Sequence, residues 1–158
     1  AQKQGKAVHG ILVEGLSNCL VKFSRCCTPV PGDDIVGFIT RGQGVSIHRC
    51  DCENYHQRLR QPENAGRWVN VSWAREITDS YVTTIIISAK DRPALIMDIA
   101  TVLNSLNAKV RNLSARDNTA GVGICTITLE VKNANELKYI MARLTSIPGV
   151  IQVARNGK

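Results

Sequence analysis

The run Cys125-Thr126-Ile127-Thr128-Leu129-Glu130-Val131-Lys132-Asn133-Ala134-Asn135-Glu136-Leu137 decides the architecture of the second half of the chain. Cys125, Ile127, Leu129 and Val131 alternate with Thr126, Thr128 and Glu130, the period of a strand with one buried and one wetter face. Asn133 with Glu136 three residues on has the spacing of a capping box, with Asn in place of Ser or Thr. A helix is therefore predicted to follow. Leu137, Ile140, Met141, Leu144 and Ile147 then share one helical face, and Pro148-Gly149 stops it.

Upstream of this run, Val82 to Ala89 is a β-branched stretch suited to a central strand. Pro93 suits the first turn of a helix, where its missing N–H costs nothing. Leu95, Ile99, Val102 and Leu106 recur at helical spacing, with Ile96 and Leu103 widening the stripe. Lys109 to Arg116 reads as a more polar strand, and Asn118-Thr119-Ala120-Gly121 as the turn after it. Downstream, Val150 to Ala154 is a last strand. The order is β-α-β-β-α-β, a ferredoxin-like arrangement with two helices on one face of a sheet and the other face free.

The first half has a different texture. Short strand-like runs lie at Ile11–Val13, Leu20–Phe23, Ile35–Ile39, Val45–Ile47 and Trp68–Trp73. Pro29-Val30-Pro31-Gly32-Asp33 and Arg41-Gly42-Gln43-Gly44 punctuate them, a short helix fits Glu53 to Leu59, and 61–66 reads as a loop. The whole is α+β: a linker over 1–8, a small Cys/His-bearing α+β domain over 9–76, and the ferredoxin-like βαββαβ domain over 77–158.

Lys plus Arg number 20 and Asp plus Glu 13, a formal charge of +7. Split after Asp79, the first part carries ten basic and eight acidic residues and the second ten and five. Such a surplus suits a polyanionic partner, or simply a solvated cationic surface, since the charges form no block. No apolar run approaches the roughly 18–20 residues that cross a bilayer, so a membrane-spanning segment is not expected. The chain opens on Ala1-Gln2-Lys3-Gln4, with neither an initiator Met nor a signal pattern, and reads as part of something longer. Cysteines 19, 26, 27, 50, 52 and 125 are not spaced like a secreted disulfide scaffold. A cytoplasmic setting with metal or redox chemistry at the clustered pairs is the expectation.

Two stretches carry a family resemblance. Ser24-Arg25-Cys26-Cys27-Thr28-Pro29-Val30-Pro31-Gly32-Asp33-Asp34-Ile35, continuing through Gly44-Val45-Ser46-Ile47-His48-Arg49 to Cys52, resembles the signature of the zinc-finger (RIS) domain of RelA/SpoT homologues. Asp91-Arg92-Pro93-Ala94-Leu95 resembles the Asp-Arg-Pro-Gly-Leu opening of an ACT domain. The resemblance implies a non-catalytic, C-terminal regulatory fragment of a stringent-response enzyme. That enzyme would be a GTP pyrophosphokinase making (p)ppGpp and, in some members, hydrolysing it. Its implied partners are the ribosome and its rRNA, upstream catalytic domains of the same chain, a branched-chain amino acid, and a second copy paired through the ACT domain.

Under that resemblance Cys26, Cys27, His48 and Cys52 are the metal candidates. Three thiolates and an imidazole meet zinc's demand for a tetrahedron of soft or borderline ligands. Adjacent cysteines point opposite ways in a flat strand, so both ligate only if the backbone kinks, for which Pro29 and Pro31 give grounds. Otherwise one of them is a core filler. Cys50 stands where the family has a non-ligand, and either substitutes as a ligand or oxidises with Cys52. A closed set of four implies a structural metal. Cys19 and Cys125 read as apolar fillers, and His9 and His56 as surface residues.

Asp91, Arg92, Pro93, Ala94 and Leu95 are the effector candidates, with Asn107, Ala108 and Asn112 completing a pocket. Backbone amides at a helix N-terminus suit a carboxylate. Alternatively Asp91 simply caps the helix. Ala94, where the family has Gly, restricts close approach. Lys90, Lys109, Arg111 and Arg116 form the RNA-facing set of this half, extended by Arg25, Arg41 and Arg49 of the first. With aromatics at 4%, contact to phosphate and shape is expected rather than base reading. Cys26-Cys27 lacks the C-x-x-C spacing of a thiol oxidoreductase, and no paired-carboxylate, P-loop or Ser-His-Asp pattern stands out, so catalysis by this chain is not expected.

Overall fold

The computed structural model describes residues 9–15, 19–42, 44–117 and 120–157. The expected linker 1–8 lies outside them, as do Asn118 and Thr119 of the expected turn. Two compact units result, the described residues up to Asp79 together with Gly157, and Ser80–Asn156.

The first unit contains β1 (Ile11–Val13), β2 (Val21–Phe23), β3 (Ile35–Thr40), β4 (Gly44–Arg49), α1 (Glu53–Leu59), β5 (Trp68–Val69) and β6 (Val71–Trp73). Four strands form one sheet in the order β2-β4-β3-β5, with β2 parallel to β4. β1 and β6 pair separately. The run Trp68–Trp73, read as one strand, thus serves both sheets. Asn70 is the step between them, its carbonyl accepting from the N–H of Glu14 at 3.0 Å. The core gathers Ile11, Val21, Val45 and Ile47, with Phe23, Val69, Val71 and Trp73 packed against them. A Cβ on Gly37 would lie 2.8 Å from methyls of Val45 and Val69 and 2.9 Å from Val71, so only glycine lets the layers approach this closely. Half-buried Trp73 stacks on Phe23 and donates its indole N–H to the Asp33 carbonyl at 3.0 Å.

The second unit runs β7 (Tyr81–Lys90), α2 (Leu95–Ser105), β8 (Lys109–Asp117), β9 (Val122–Val131), α3 (Ala134–Thr145) and β10 (Val150–Arg155). Its antiparallel sheet has the order β10-β7-β9-β8, the ferredoxin-like topology expected from the sequence. Cys125, Ile127, Leu129 and Val131 are buried, as the alternation predicts, and share the core with Ile85 and Ile87 of β7 and Leu137, Ile140 and Leu144 of α3. The capping box forms with one change. Asn133 Oδ1 accepts the N–H of Glu136 at 2.9 Å, while the Glu136 carboxylate reaches back to the N–H of Lys132.

Three expectations need correction in α2. Its buried row is Leu95, Ile99 and Leu103, whereas Val102 and Leu106 are half-buried and Ile96 is exposed, because a helix lying on a sheet seats one narrow i, i+4, i+8 row. Pro93 does not open the helix, and Asp91 does not cap it; the helix starts at Leu95. Arg92 to Leu95 forms a turn closed by the Leu95 N–H on the Arg92 carbonyl, with Pro93 second and Ala94 third. Ala94 sits at φ 64, ψ 9, the left-handed position that a type II turn normally gives to glycine.

Candidate metal centre

Cys26 and Cys27 follow β2, His48 lies on β4, and Cys52 immediately precedes α1. The parallel pairing of β2 with β4 sets Phe23 beside Ile47, and the N–H of Ser24 extends it by donating to the Ile47 carbonyl at 2.9 Å. The two segments therefore arrive together. On β4 the side chains alternate, so Val45 and Ile47 enter the core while Ser46 and His48 take the opposite face. After Arg49 the chain turns, its carbonyl accepting from Cys52 at 3.0 Å, which swings Cys52 back toward His48.

The adjacent cysteines converge because the backbone leaves the strand conformation. The N–H of Thr28 closes a turn onto the Ser24 carbonyl at 2.9 Å, and Thr28 adopts φ 42. Such a φ is costly for a β-branched residue. Within this kink both sulfurs face the same point.

The ligand atoms of Cys26, Cys27, His48 and Cys52 all lie within 4.8 Å of one another. Cys26 Sγ is 3.6 Å from Cys52 Sγ and 3.9 Å from Cys27 Sγ. His48 Nδ1 is 3.5 Å from Cys26 Sγ and 3.9 Å from Cys27 Sγ. Zinc bonded at about 2.3 Å to sulfur and about 2.0 Å to nitrogen in a tetrahedron sets S···S edges of roughly 3.8 Å and S···N edges of roughly 3.5 Å. These four of the six edges match those lengths within a few tenths of an ångström, and the other two are no longer than 4.8 Å. These residues could hold a metal, and the donor set fits zinc. Cys50, the alternative ligand, lies outside the group, and all six cysteines are free thiols.

The surroundings leave the imidazole neutral and able to ligate. Cys27, His48 and Cys52 are buried, and only Cys26 is partly open. Burial, then the charge of Arg58, pushes the His48 imidazole down to about 4, so at neutral pH it is uncharged with a lone pair to give. Burial also pushes the Cys27 thiol up, opposed by the N–H of Arg49 on its sulfur at 3.3 Å. A bound dication reverses that penalty by deprotonating its thiols outright.

Arg49, expected on an RNA-facing surface, is buried at 2% exposure. Its guanidinium donates to the Cys27 carbonyl at 3.0 Å and to Asp51 at 2.8 Å. It braces the Cys27 turn from behind and cannot present its charge to a phosphate. Arg25, Arg41, Lys90, Lys109, Arg111 and Arg116 are exposed, with Arg111 paired to Glu130.

In the second unit a cavity of about 250 Å³ opens beside the Arg92–Leu95 turn. Asp91, Arg92, Ala94 and Leu95 line it, with Ile87, Ile99 and Cys125. Asn107, Ala108 and Asn112 do not. They sit near the C-terminal end of α2, and an 11-residue helix carries its ends about 16 Å apart. The far end of β8 supplies Ala115, Arg116 and Asp117 instead, which the β-α-β-β order could have indicated, since β8 runs back toward the turn. Arg92 donates to Asp98 and to the Pro148 carbonyl, so it ties the turn to α2 and to the start of β10. Ala94 carries a left-handed backbone at a cost of about 1–2 kcal/mol. Ala94→Gly is expected to stabilise this unit by about 1 kcal/mol, raising its melting temperature by roughly 4–8 °C in a thermal melt.

Fold and site together define a module whose Cys/His cluster could hold a metal, joined to a ferredoxin-like module. The RelA/SpoT RIS domain matches residues 11–74 and the ACT domain matches residues 78–155. The chain is 34% identical over 98% of its length to a GTP pyrophosphokinase of Streptomyces coelicolor and 35% identical over 98% to one of Escherichia coli. It is 38% identical over 92% of its length to the bifunctional (p)ppGpp synthase/hydrolase RelA of Mycobacterium tuberculosis. It spans about a fifth of those proteins, 18%, 21% and 19% respectively. The chain belongs to the RelA/SpoT family, and its matched residues are those of a RIS domain followed by an ACT domain. Among the described residues no helix is long and apolar enough to cross a membrane.

Proposed function

We propose that this RIS–ACT pair docks on the ribosome and passes nutritional state to catalytic domains of a longer cytoplasmic (p)ppGpp enzyme. Zinc at Cys26, Cys27, His48 and Cys52 would shape the docking module. Four protein ligands leave no open position for a hydrolytic water, so the metal's part is structural.

The observation that carries this reading is β8. It is the outer strand of its sheet, and every residue but the half-buried Leu113 is exposed, Lys109, Arg111 and Arg116 among them. An open cationic strand suits contact with phosphates, and Arg25 and Arg41 offer the same chemistry on the other unit. The same unpaired edge supports pairing of two copies of the chain.

Binding to purified ribosomes tests the proposal. With four phosphates neutralised, affinity should fall roughly a hundredfold between 50 and 200 mM salt. An absent or salt-insensitive interaction would overturn it. A second reading, that the ACT unit senses a branched-chain amino acid, is favoured by the largely apolar cavity at Asp91–Leu95. Under that reading saturating valine or isoleucine raises the melting temperature through linkage, and salt leaves the effect intact.

A further inference from the structure

We infer that Ser24 is a positioning residue that fixes His48 as an Nδ1 metal ligand, and that Ser46 in turn holds Ser24. This rests on the reading that the four Cys/His residues hold zinc. The geometry is specific about the ring's two edges. Nδ1 faces the sulfurs, 3.5 Å from Cys26 and 3.9 Å from Cys27. Nε2, on the opposite edge, is 2.9 Å from Ser24 Oγ. Ser24 Oγ is itself 2.8 Å from Ser46 Oγ.

A metal takes the lone pair of the nitrogen that faces it. With Nδ1 so engaged, the neutral ring carries its proton on Nε2 and donates it to Ser24. An imidazole ligand whose other N–H is held by an acceptor has its tautomer and ring orientation fixed by that bond. Here the acceptor is a neutral hydroxyl, not a carboxylate, so the ring is oriented without a further negative charge beside three thiolates.

Chain order explains how the acceptor comes to be there. Ser24 is the first residue beyond β2, held by its N–H on the Ile47 carbonyl, one position before His48. Its own carbonyl closes the turn that presents Cys26 and Cys27. One residue therefore ties the cysteine turn to the histidine strand through both backbone and side chain. Ser46 is on the same face of β4 as His48, two residues away, which places its hydroxyl beside Ser24. Ser24, Ser46 and His48 line an open cavity of about 470 Å³, so a methyl group added at Ser24 has room.

The test uses the whole chain, loaded with zinc, with affinity read by competition against a chelator. Ser24→Ala is expected to weaken zinc binding 10–100-fold, Ser46→Ala to weaken it less, and Ser24→Thr to restore the wild-type value. Nitrogen-15 NMR of the wild-type zinc form should show His48 metal-bound at Nδ1 and protonated at Nε2, with that proton protected from exchange. In Ser24→Ala the protection is lost. A zinc-bound wild type with His48 coordinated through Nε2, or a Ser24→Ala chain of unchanged affinity, overturns the role of Ser24 while leaving the metal centre standing. A wild-type chain that holds no zinc removes both. Should Ser24→Ala fail to fold, the wild-type tautomer and Ser46→Ala still decide.

Discussion

Stripping the metal with a chelator, or replacing its imidazole by His48→Ala, is expected to unfold the first unit and leave the ferredoxin-like unit folded. The first unit is built from strands of two to six residues and one seven-residue helix, and domains of this size are marginal on their hydrophobic core alone. Cys27, His48 and Cys52 are at most 2% exposed, so the centre is a second buried cluster on the face of β4 opposite the apolar core. Structural zinc contributes an apparent 10–16 kcal/mol in small domains, more than such a core supplies. Calorimetry should therefore show two transitions for the zinc-loaded chain and one after chelation, with elemental analysis finding about one zinc per chain beforehand and none in His48→Ala. A melting profile unchanged by measured metal loss would contradict this.

The same centre sets a pH dependence. The unfolded imidazole takes a proton near 6.5, whereas burial in the fold makes His48 resist protonation until about 4, a resistance that a bound metal only adds to. Acid therefore favours the unfolded chain across that window. The contribution is complete above pH 6.5 and is lost progressively as pH falls toward 4, about 3 kcal/mol in all. Protons also compete with the metal for its thiolates, so zinc affinity falls in the same direction.

The alternation of Cys125 to Val131 and the Asn133–Glu136 cap were legible because they are local: a strand buried on one face and a helix start each write a short-range period. What escaped the sequence depended on distant parts. Thr28 does not announce a left-handed backbone; the turn is held by Ser24, and the convergence of two sulfurs on His48 and Cys52 favours it. Ala94 stands where the family resemblance expects glycine, and only the structure shows the left-handed backbone that explains the preference. Asn107, Ala108 and Asn112, expected to complete the effector pocket, lie beyond the length of α2 from the cavity at Asp91–Leu95, which Arg116 and Asp117 of the returning β8 line instead. The step at Asn70 between two sheets is likewise invisible in a run of apparent strand. The Cys/His quartet is readable through family resemblance and the need for a kink through the adjacency of Cys26 and Cys27, while the turn that makes the kink, closed by Thr28 on Ser24, is visible only in the structure.

Arg49 is the sharpest case, and its replacement should cost more than any of the exposed cations. A lone arginine among Ser46, His48 and Cys50 reads as surface charge, since arginine is rarely buried without partners. In the fold those partners include the Cys27 carbonyl and Asp51. Arg49→Ala removes a fully buried side chain, which leaves a cavity, and orphans a buried carbonyl, which costs about 1–3 kcal/mol by itself. A loss of about 4 kcal/mol in urea unfolding of the first unit is expected, together with weaker zinc binding, because the lost braces act on the Cys27 turn. Arg49→Lys should recover only part of this, since an ammonium cannot span both acceptors as the planar fork does. Arg41→Ala, an exposed change, should leave the unfolding curve within about 0.5 kcal/mol of wild type and act, if at all, on ribosome binding. If Arg49→Ala instead kept full stability and lost only ribosome affinity, the side chain would belong on the outer surface and the bracing role would fall.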